Sequence, residues 1–260
     1  MTAVAFSQPD AGWASPPLSG LAAAIATNVV TTVKQAGANA PRSLQRTIGP
    51  SEIGTPCVRR LAYKLCDWPE VNNDSDPWAS IIGTAVHSWM EETFAAENRR
   101  LGQERYVIER RLQIRGNIYG HADLFDRATG TNMDWKCVGL DRLQKYRKDG
   151  PGEQYRIQAH LYGLGQENAG EAVNDVAVVF LPRGGRIDGL HVWTERYDRS
   201  VALAALDRLD NVMTALTHLD PPENPQAWAM FPASDAFCTY CPWFAPGSTD
   251  ASRGCPGAGG

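Results

Sequence analysis

Three cysteines close this chain, Cys238, Cys241 and Cys255, and a fourth, Cys57, stands 181 positions upstream of the first of them. The late trio reads Cys238-Thr239-Tyr240-Cys241-Pro242-Trp243-Phe244, then Cys255-Pro256 after thirteen intervening residues. A C-x-x-C pair with a third thiolate nearby supplies three ligands for a soft metal and lacks one. Cys57 is the first candidate for the fourth position and Cys66 the alternative. Such a site ties together the two ends of the folded part, so what lies between them is expected to be the working domain. Zinc and an iron–sulfur cluster both suit four thiolates. Joining distant chain segments removes freedom from the unfolded chain, which makes a structural role the expected one. Cys137, and Cys66 if it is not a ligand, read as small buried hydrophobes.

The charge balance bears on what the working domain touches. With 25 basic and 29 acidic residues the net charge is −4, so the whole-molecule field does not attract nucleic acid and any such binding needs a local basic groove. Three clusters qualify: Arg59, Arg60 and Lys64; Arg110 and Arg111; Arg142, Lys145, Arg147 and Lys148. The third is favoured, as a basic loop expected to follow the strand that carries the chemistry. At 260 residues and 43% hydrophobic content the chain buries an ordinary core. No membrane span or secretion signal is visible: Leu21 to Val33 is short, contains Asn28 and several threonines, and lacks a basic leader. A cytoplasmic, reducing setting is expected, where cysteines serve metals rather than disulfides.

Residues 1–18, rich in Ala, Ser, Pro and Gly, are expected to be disordered. With a helix over 20–36 they make an N-terminal extension, 1–45, ahead of a main domain, 46–260, whose cysteine segment spans 238–255. Ser51 to Pro56 reads as a helix start leading into Cys57–Tyr63. A long helix follows from about Pro77 to Arg100, with Ile82, Val86, Trp89, Met90 and Phe94 as its apolar stripe. Strands are expected over Tyr106–Ile114, Ile118–Phe125 and Asn132–Val138, with turns at Gly116-Asn117 and Arg127–Gly130. Then come a helix over 153–168, strands over Val173–Leu181 and Ile187–Tyr197 around Arg183-Gly184-Gly185, and a helix over 199–218. The fold class is mixed α/β or α+β, a central mixed sheet flanked by helices.

The hairpin around Arg127–Gly130 carries the chemistry. A turn centred there opposes Asp126 to Thr131 and Asp123 to Asp134, and opposed residues project to one side of the sheet. The strand period of two adds Lys136 beside Asp134, while Leu124, Met133 and Trp135 face the packed side. Two close carboxylates repel and are relieved by a divalent cation between them. His87 lies on the long helix one turn after Gly83, which suggests a close approach to this face; it suits either a boundary histidine or a metal ligand, and Glu91 one turn on either orients it or is solvated. Gln158 and Tyr162, spaced i, i+4, share a helix face.

The ordered set Gly83-Thr84-Ala85-Val86-His87, Gly120-His121-Ala122-Asp123, Asp134-Trp135-Lys136 and Gln158-Ala159-His160-Leu161-Tyr162 resembles the RecB-like branch of the PD-(D/E)xK nucleases. With the four cysteines it is similar to the iron–sulfur exonucleases associated with CRISPR loci, copies of which also occur in bacteriophages. The likeness spans residues 50–256 and implies a restriction-endonuclease-like core. It implies that His87, Asp123 and Asp134 bind Mn²⁺ or Mg²⁺, and that Lys136 is the essential lysine beside the scissile phosphate. Gln158 and Tyr162 fill the Q-x-x-x-Y motif, and Cys57, Cys238, Cys241 and Cys255 hold a [4Fe–4S] cluster. Asp134 stands where glutamate is common. An imidazole ligand tilts preference toward Mn²⁺. The expected activity is metal-dependent DNA exonucleolysis, with single-stranded DNA as partner and no membrane. The other reading is a catalytically silent DNA-binding or assembly subunit on the same fold.

Overall fold

The computed structural model describes residues 20–39, 47–72 and 76–258; the expected disorder of residues 1–18 lies outside them. The chain divides into a unit Met1–Leu44 and a unit Gln45–Gly260. The described part of the first unit is a helix, α1 (Leu21–Ala38). Among the described residues no helix is long and apolar enough to cross a membrane.

In the second unit α2 (Pro50–Ile53), α3 (Val58–Leu65) and α4 (Trp78–Leu101) precede β1 (Tyr106–Arg115), β2 (Ile118–Asp126) and β3 (Thr131–Val138). After them come α5 (Leu140–Asp149), α6 (Gly152–Asn168), β4 (Asp175–Pro182), β5 (His191–Arg196) and α7 (Arg199–Leu219). The five strands form one sheet in chain order, antiparallel except where β4 runs parallel to β3. A parallel neighbour needs a crossover, and α5 with α6 supplies it. This is the mixed sheet with flanking helices that the pattern predicts. Helix starts follow local chemistry. Pro50 opens α2, whose Glu52 carboxylate accepts from the Gly49 N–H, and the Cys57 thiol caps α3 by accepting from the Arg60 N–H.

Four expectations change. The basic run after β3 is helix α5, not a loop. Gly139 and Gly150 bracket it, and Leu143 and Tyr146 form a narrow buried stripe while the cations face outward. The Arg183-Gly184-Gly185 hairpin is wider than a tight turn, because Leu181 and Pro182 continue to pair with β3 and β5 begins only at His191. Residues Ile187–Gly189 form a short 3₁₀ turn instead of strand. Trp89 is exposed rather than part of the α4 stripe. It sits about 100° around the helix from Met90, on the flank of the line Val86, Met90 and Phe94 that meets the sheet.

Two helix layers sandwich the sheet. On one side α4 covers Leu124, Trp135, Val179 and Leu181, with the Phe94 ring stacked 5.6 Å from Trp135. On the other, Leu143, Tyr146 and Ala159 meet Val176, Val178 and Phe180. Helix α6 is buried without a break from Ile157 to Gln166, so every side chain on its middle turns is held by packing. The chain ends are stitched by donors from the first segment to carbonyls of the last. Arg59 Nε donates to Phe231 O (2.9 Å), Trp68 Nε1 to Ser252 O (2.9 Å) and Tyr63 Oη to Ala251 O.

The β2–β3 hairpin has the predicted register: Asp126 pairs with Thr131 and Leu124 with Met133. Its tip is anchored by Asp126, which accepts two hydrogen bonds from Arg105 (2.8 and 2.7 Å) and one from the Ala128 N–H. Gly130 completes the turn at φ +68°, where a Cβ would fall 2.5 Å from Asn174 Nδ2 and 2.6 Å from Ala172 O. Gly130→Ala is therefore expected to destabilise the unit by about 2–4 kcal/mol, from left-handed strain and overpacking together, as read by urea denaturation. Arg105 holds the Asp126 carboxyl below its ordinary value of 3.8. Its pairing then adds stability that is full above that value and fades as the pH falls through the depressed one. The urea midpoints of the wild type and Asp126→Asn should differ near pH 6 and converge as the pH falls through the depressed value.

Candidate active site

The hydrogen-bonded ladder between β2 and β3 stops at Leu124–Met133, one pair short of Asp123 and Asp134. There the Asp123 carboxylate enters the opening and accepts the Trp135 backbone N–H at 2.7 Å. It replaces the lost strand bond and lies in the gap between strands, not squarely across from Asp134 on one face. The two acids still act on each other electrostatically.

Asp134 is 3% exposed. Its Oδ1 accepts from Gln158 Nε2 at 2.9 Å, and its Oδ2 forms an ion pair with Lys136 Nζ but lacks an aligned hydrogen bond. Burial pushes its carboxyl up to about 6; Lys136 works against that rise and Asp123 adds to it. Lys136, two residues along the strand, is also 5.0 Å from the centre of the Tyr155 ring. Gln158 comes from the enclosed part of α6, where its amide is held rather than solvated. Tyr162, one turn on, is buried, and its phenol is pushed up by burial and by both aspartates, so it stays neutral. Gly120 of β2 makes room for it: a Cβ there would fall 2.8 Å from both the Tyr162 ring and Pro50.

His87 reaches the opening from α4. Its Nε2 lies 3.1 Å from the Trp135 carbonyl, which can only accept, so Nε2 carries a proton. Nδ1 then faces Asp123 at 3.4 Å and Glu109 at 3.9 Å. Burial lowers the imidazolium pKa, but these two carboxylates outweigh it and raise it to about 10. Of the two readings of Glu91 the solvated one holds, as it is exposed on the helix surface, and Glu109 faces the ring instead. Gly83 faces open space, not a closely approaching group.

Glu109 has no counterpart among the sequence candidates. A hairpin closed tightly at Gly116-Asn117 sets Arg110 across from Asp123. An irregularity between Gln113 and Arg115 moves the register by one, and Glu109 falls between the pairs Ile108–Leu124 and Arg110–Ala122, level with Asp123. Its φ is +43°, strained for a residue with a side chain. Both acids stand in plain view in the chain, but the bulge that aligns them has no local sequence signal. Donor atoms of His87, Glu109 and Asp123 lie within 4.8 Å of one another. Two ligands at about 2.1 Å from one cation lie at most about 4.2 Å apart, and the His87 Nδ1 separations of 3.4 and 3.9 Å fall inside that reach. Asp134 flanks this trio and Lys136 balances its charge.

A separate cavity is lined by Cys57, Cys238, Cys241 and Cys255 together with Arg60, Tyr63 and Phe244. Arg59 Nη1 donates to Cys255 Sγ at 3.5 Å and the Arg60 N–H to Cys57 Sγ at 3.4 Å, donors suited to thiolate charge. Cys66 caps the far end of α3 and does not line this cavity.

No family model matches the chain, and no curated protein matches its sequence. Its fold is similar to that of an alkaline exonuclease from Laribacter hongkongensis, at 12% identity and a TM-score of 0.48 over 73% of this chain and 97% of that one. It is also similar to a phage-related exonuclease from Haemophilus somnus 129PT, at 11% identity and a TM-score of 0.43 over 60% of this chain and 77% of that one.

Strain at Glu109 separates its backbone from its carboxylate. Glu109→Gly is expected to keep or raise folding stability, by up to about 1 kcal/mol, while Mn²⁺ affinity measured by calorimetry falls at least about tenfold. Unchanged Mn²⁺ affinity would remove Glu109 from the site.

Proposed function

We propose that this chain hydrolyses DNA phosphodiesters as a Mn²⁺- or Mg²⁺-dependent exonuclease of the PD-(D/E)xK type, working on single-stranded ends. The observation that carries this reading is the meeting of Asp123, Asp134 and Lys136 at one strand opening, with His87 arriving from the opposite helix layer. A packed core has no use for a carboxylate at 3% exposure beside a second acid. A phosphodiester is a stable anion, so its cleavage needs concentrated positive charge and a supply of hydroxide. When bound, a divalent cation supplies both, by polarising the phosphoryl oxygen and acidifying water.

Asp123 and Asp134 would offer such an ion hard oxygen ligands, with His87 Nδ1 and Glu109 beside them. The imidazole favours Mn²⁺ over Mg²⁺, and the Nε2–H bond to Trp135 O sets which nitrogen is free to ligate. Lys136 aims an ammonium at the place where negative charge grows on the phosphate. Gln158 fixes the rotamer of Asp134 and leaves Oδ2 free of an aligned hydrogen bond. Tyr162, neutral and buried, closes the apolar side.

The cysteine cavity would hold a [4Fe–4S] cluster. The convergence of all four thiols on one cavity, with N–H donors from Arg59 and Arg60 at Cys255 and Cys57, supports that reading.

Lys136→Ala is expected to lower cleavage of end-labelled single-stranded DNA at least about a hundredfold, with the protein still folded. Wild-type cleavage by that variant would sink the assignment, and a wild type that binds DNA without cutting it in Mn²⁺ would make the chain a binding subunit. Protein isolated without oxygen should contain iron and acid-labile sulfide in equal amounts, lost in Cys57→Ser; a colourless zinc protein would overturn the cluster.

A further inference from the structure

The outward face of α5 and the cysteine segment meet. The Arg142 guanidinium lies 4.5 Å from the centre of the Phe237 ring and 5.6 Å from that of Tyr240, and Lys145 Nζ lies 5.9 Å from Phe237. Arg142 and Lys145 are three residues apart and so share one helix face. Both rings are exposed, Tyr240 at 72% and Phe237 at 43%, although they flank a segment whose neighbours Ala236 and Cys241 are buried. Phe237 holds φ +57° and ψ +56°, a left-handed conformation that costs a bulky residue free energy. The Asp235 side chain accepts its N–H at 3.2 Å. Strain that turns an apolar ring toward water has no return in folding, since the ring joins no core.

The same patch leads to the strand opening. Tyr146 packs 5.9 Å from Tyr155, and Tyr155 lies 5.0 Å from Lys136 Nζ. Arg142 is near enough to act electrostatically on both tyrosines. The patch and the lysine are thus linked through the interior, by the buried Tyr146 and its neighbour Tyr155. Flat π-faces interleaved with cations suit unpaired bases and the phosphates between them. Duplex DNA keeps its base faces stacked inside and offers nothing to such rings. In a chain of net charge −4, this is also the kind of local basic groove that DNA binding requires.

We propose that Phe237 and Tyr240, backed by Arg142 and Lys145, form a stacking platform that grips unpaired bases of the DNA strand being cut at Lys136. The proposal rests on the nuclease reading and adds its determinant for single strands. The cysteine segment then has a second task, to set the two rings at their height above α5.

The test uses the full chain in EDTA and fluorescence anisotropy with a labelled oligothymidylate of about twenty nucleotides. Phe237→Ala with Tyr240→Ala is expected to weaken single-strand binding about 10- to 100-fold, with duplex binding and the salt slope unchanged. Phe237→Tyr with Tyr240→Phe should restore it. Arg142→Ala with Lys145→Ala should instead flatten the salt slope by about 0.7 for each phosphate no longer neutralised. Equal affinity in the aromatic variant, or equal weakening on duplex and single strand, overturns the platform. If the aromatic variant does not fold, an unchanged salt slope in the α5 variant overturns it as well. Hydrolysis of thymidine 5′-(4-nitrophenyl phosphate) in Mn²⁺ needs the strand opening but no platform, so both variants should match the wild type. A wild type inactive on this ester fails the nuclease reading, while the anisotropy result still decides the platform.

Discussion

Asp134 is a charge that water barely reaches, and the middle of the molecule is arranged around carrying it. An isolated carboxylate at this depth would take up a proton, and burial does drive it that way. Lys136 from its own strand and Gln158 from α6 supply the opposing pull. Neither partner is free to wander: Lys136 is placed by the strand period, and Gln158 by a helix packed on every side. The parallel β3–β4 pairing depends on the same crossover that carries α6 under the sheet. Removing the crossover geometry would leave the carboxylate with one partner instead of two.

The opening beside Asp134 is the second element of the same design. Parting β2 from β3 leaves the Trp135 N–H without a strand partner, and Asp123 takes it over. That single bond turns a side chain expected on one face into one reachable from both. His87, on the opposite helix layer, meets Asp123 only because of it. The bulge in β1 then brings Glu109 level, at the expense of a strained backbone. Strain of this kind clusters where geometry serves chemistry rather than stability.

The closure of the chain ends does not depend on metal alone. Arg59, Tyr63 and Trp68 donate to carbonyls of the last segment, and Tyr63, Trp68, Trp228 and Trp243 pack together around those bonds. The four thiols occupy a cavity within this closed region. A cluster there would add to a junction already made by aromatic packing, on the segment that also carries Phe237 and Tyr240.

The register of the β2–β3 hairpin was legible because a short turn and a period of two leave little freedom, and Asp126 and Thr131 do pair. The shared face of Gln158 and Tyr162 was legible for the same reason, as helical spacing is local. Helix α5 was hidden by its charges, since only Leu143 and Tyr146 report its buried side. The exposure of Trp89 and the partnership of Glu109 with His87 have no local signature. By itself, then, the amino-acid order determined which residues stand on which element and how they alternate, because turns and periodicity act over a few residues. Tertiary structure decided which strands part, where a bulge shifts the pairing and which helix looks into the gap. Those outcomes come from packing between segments far apart in the chain, where a shift of one residue changes every neighbour.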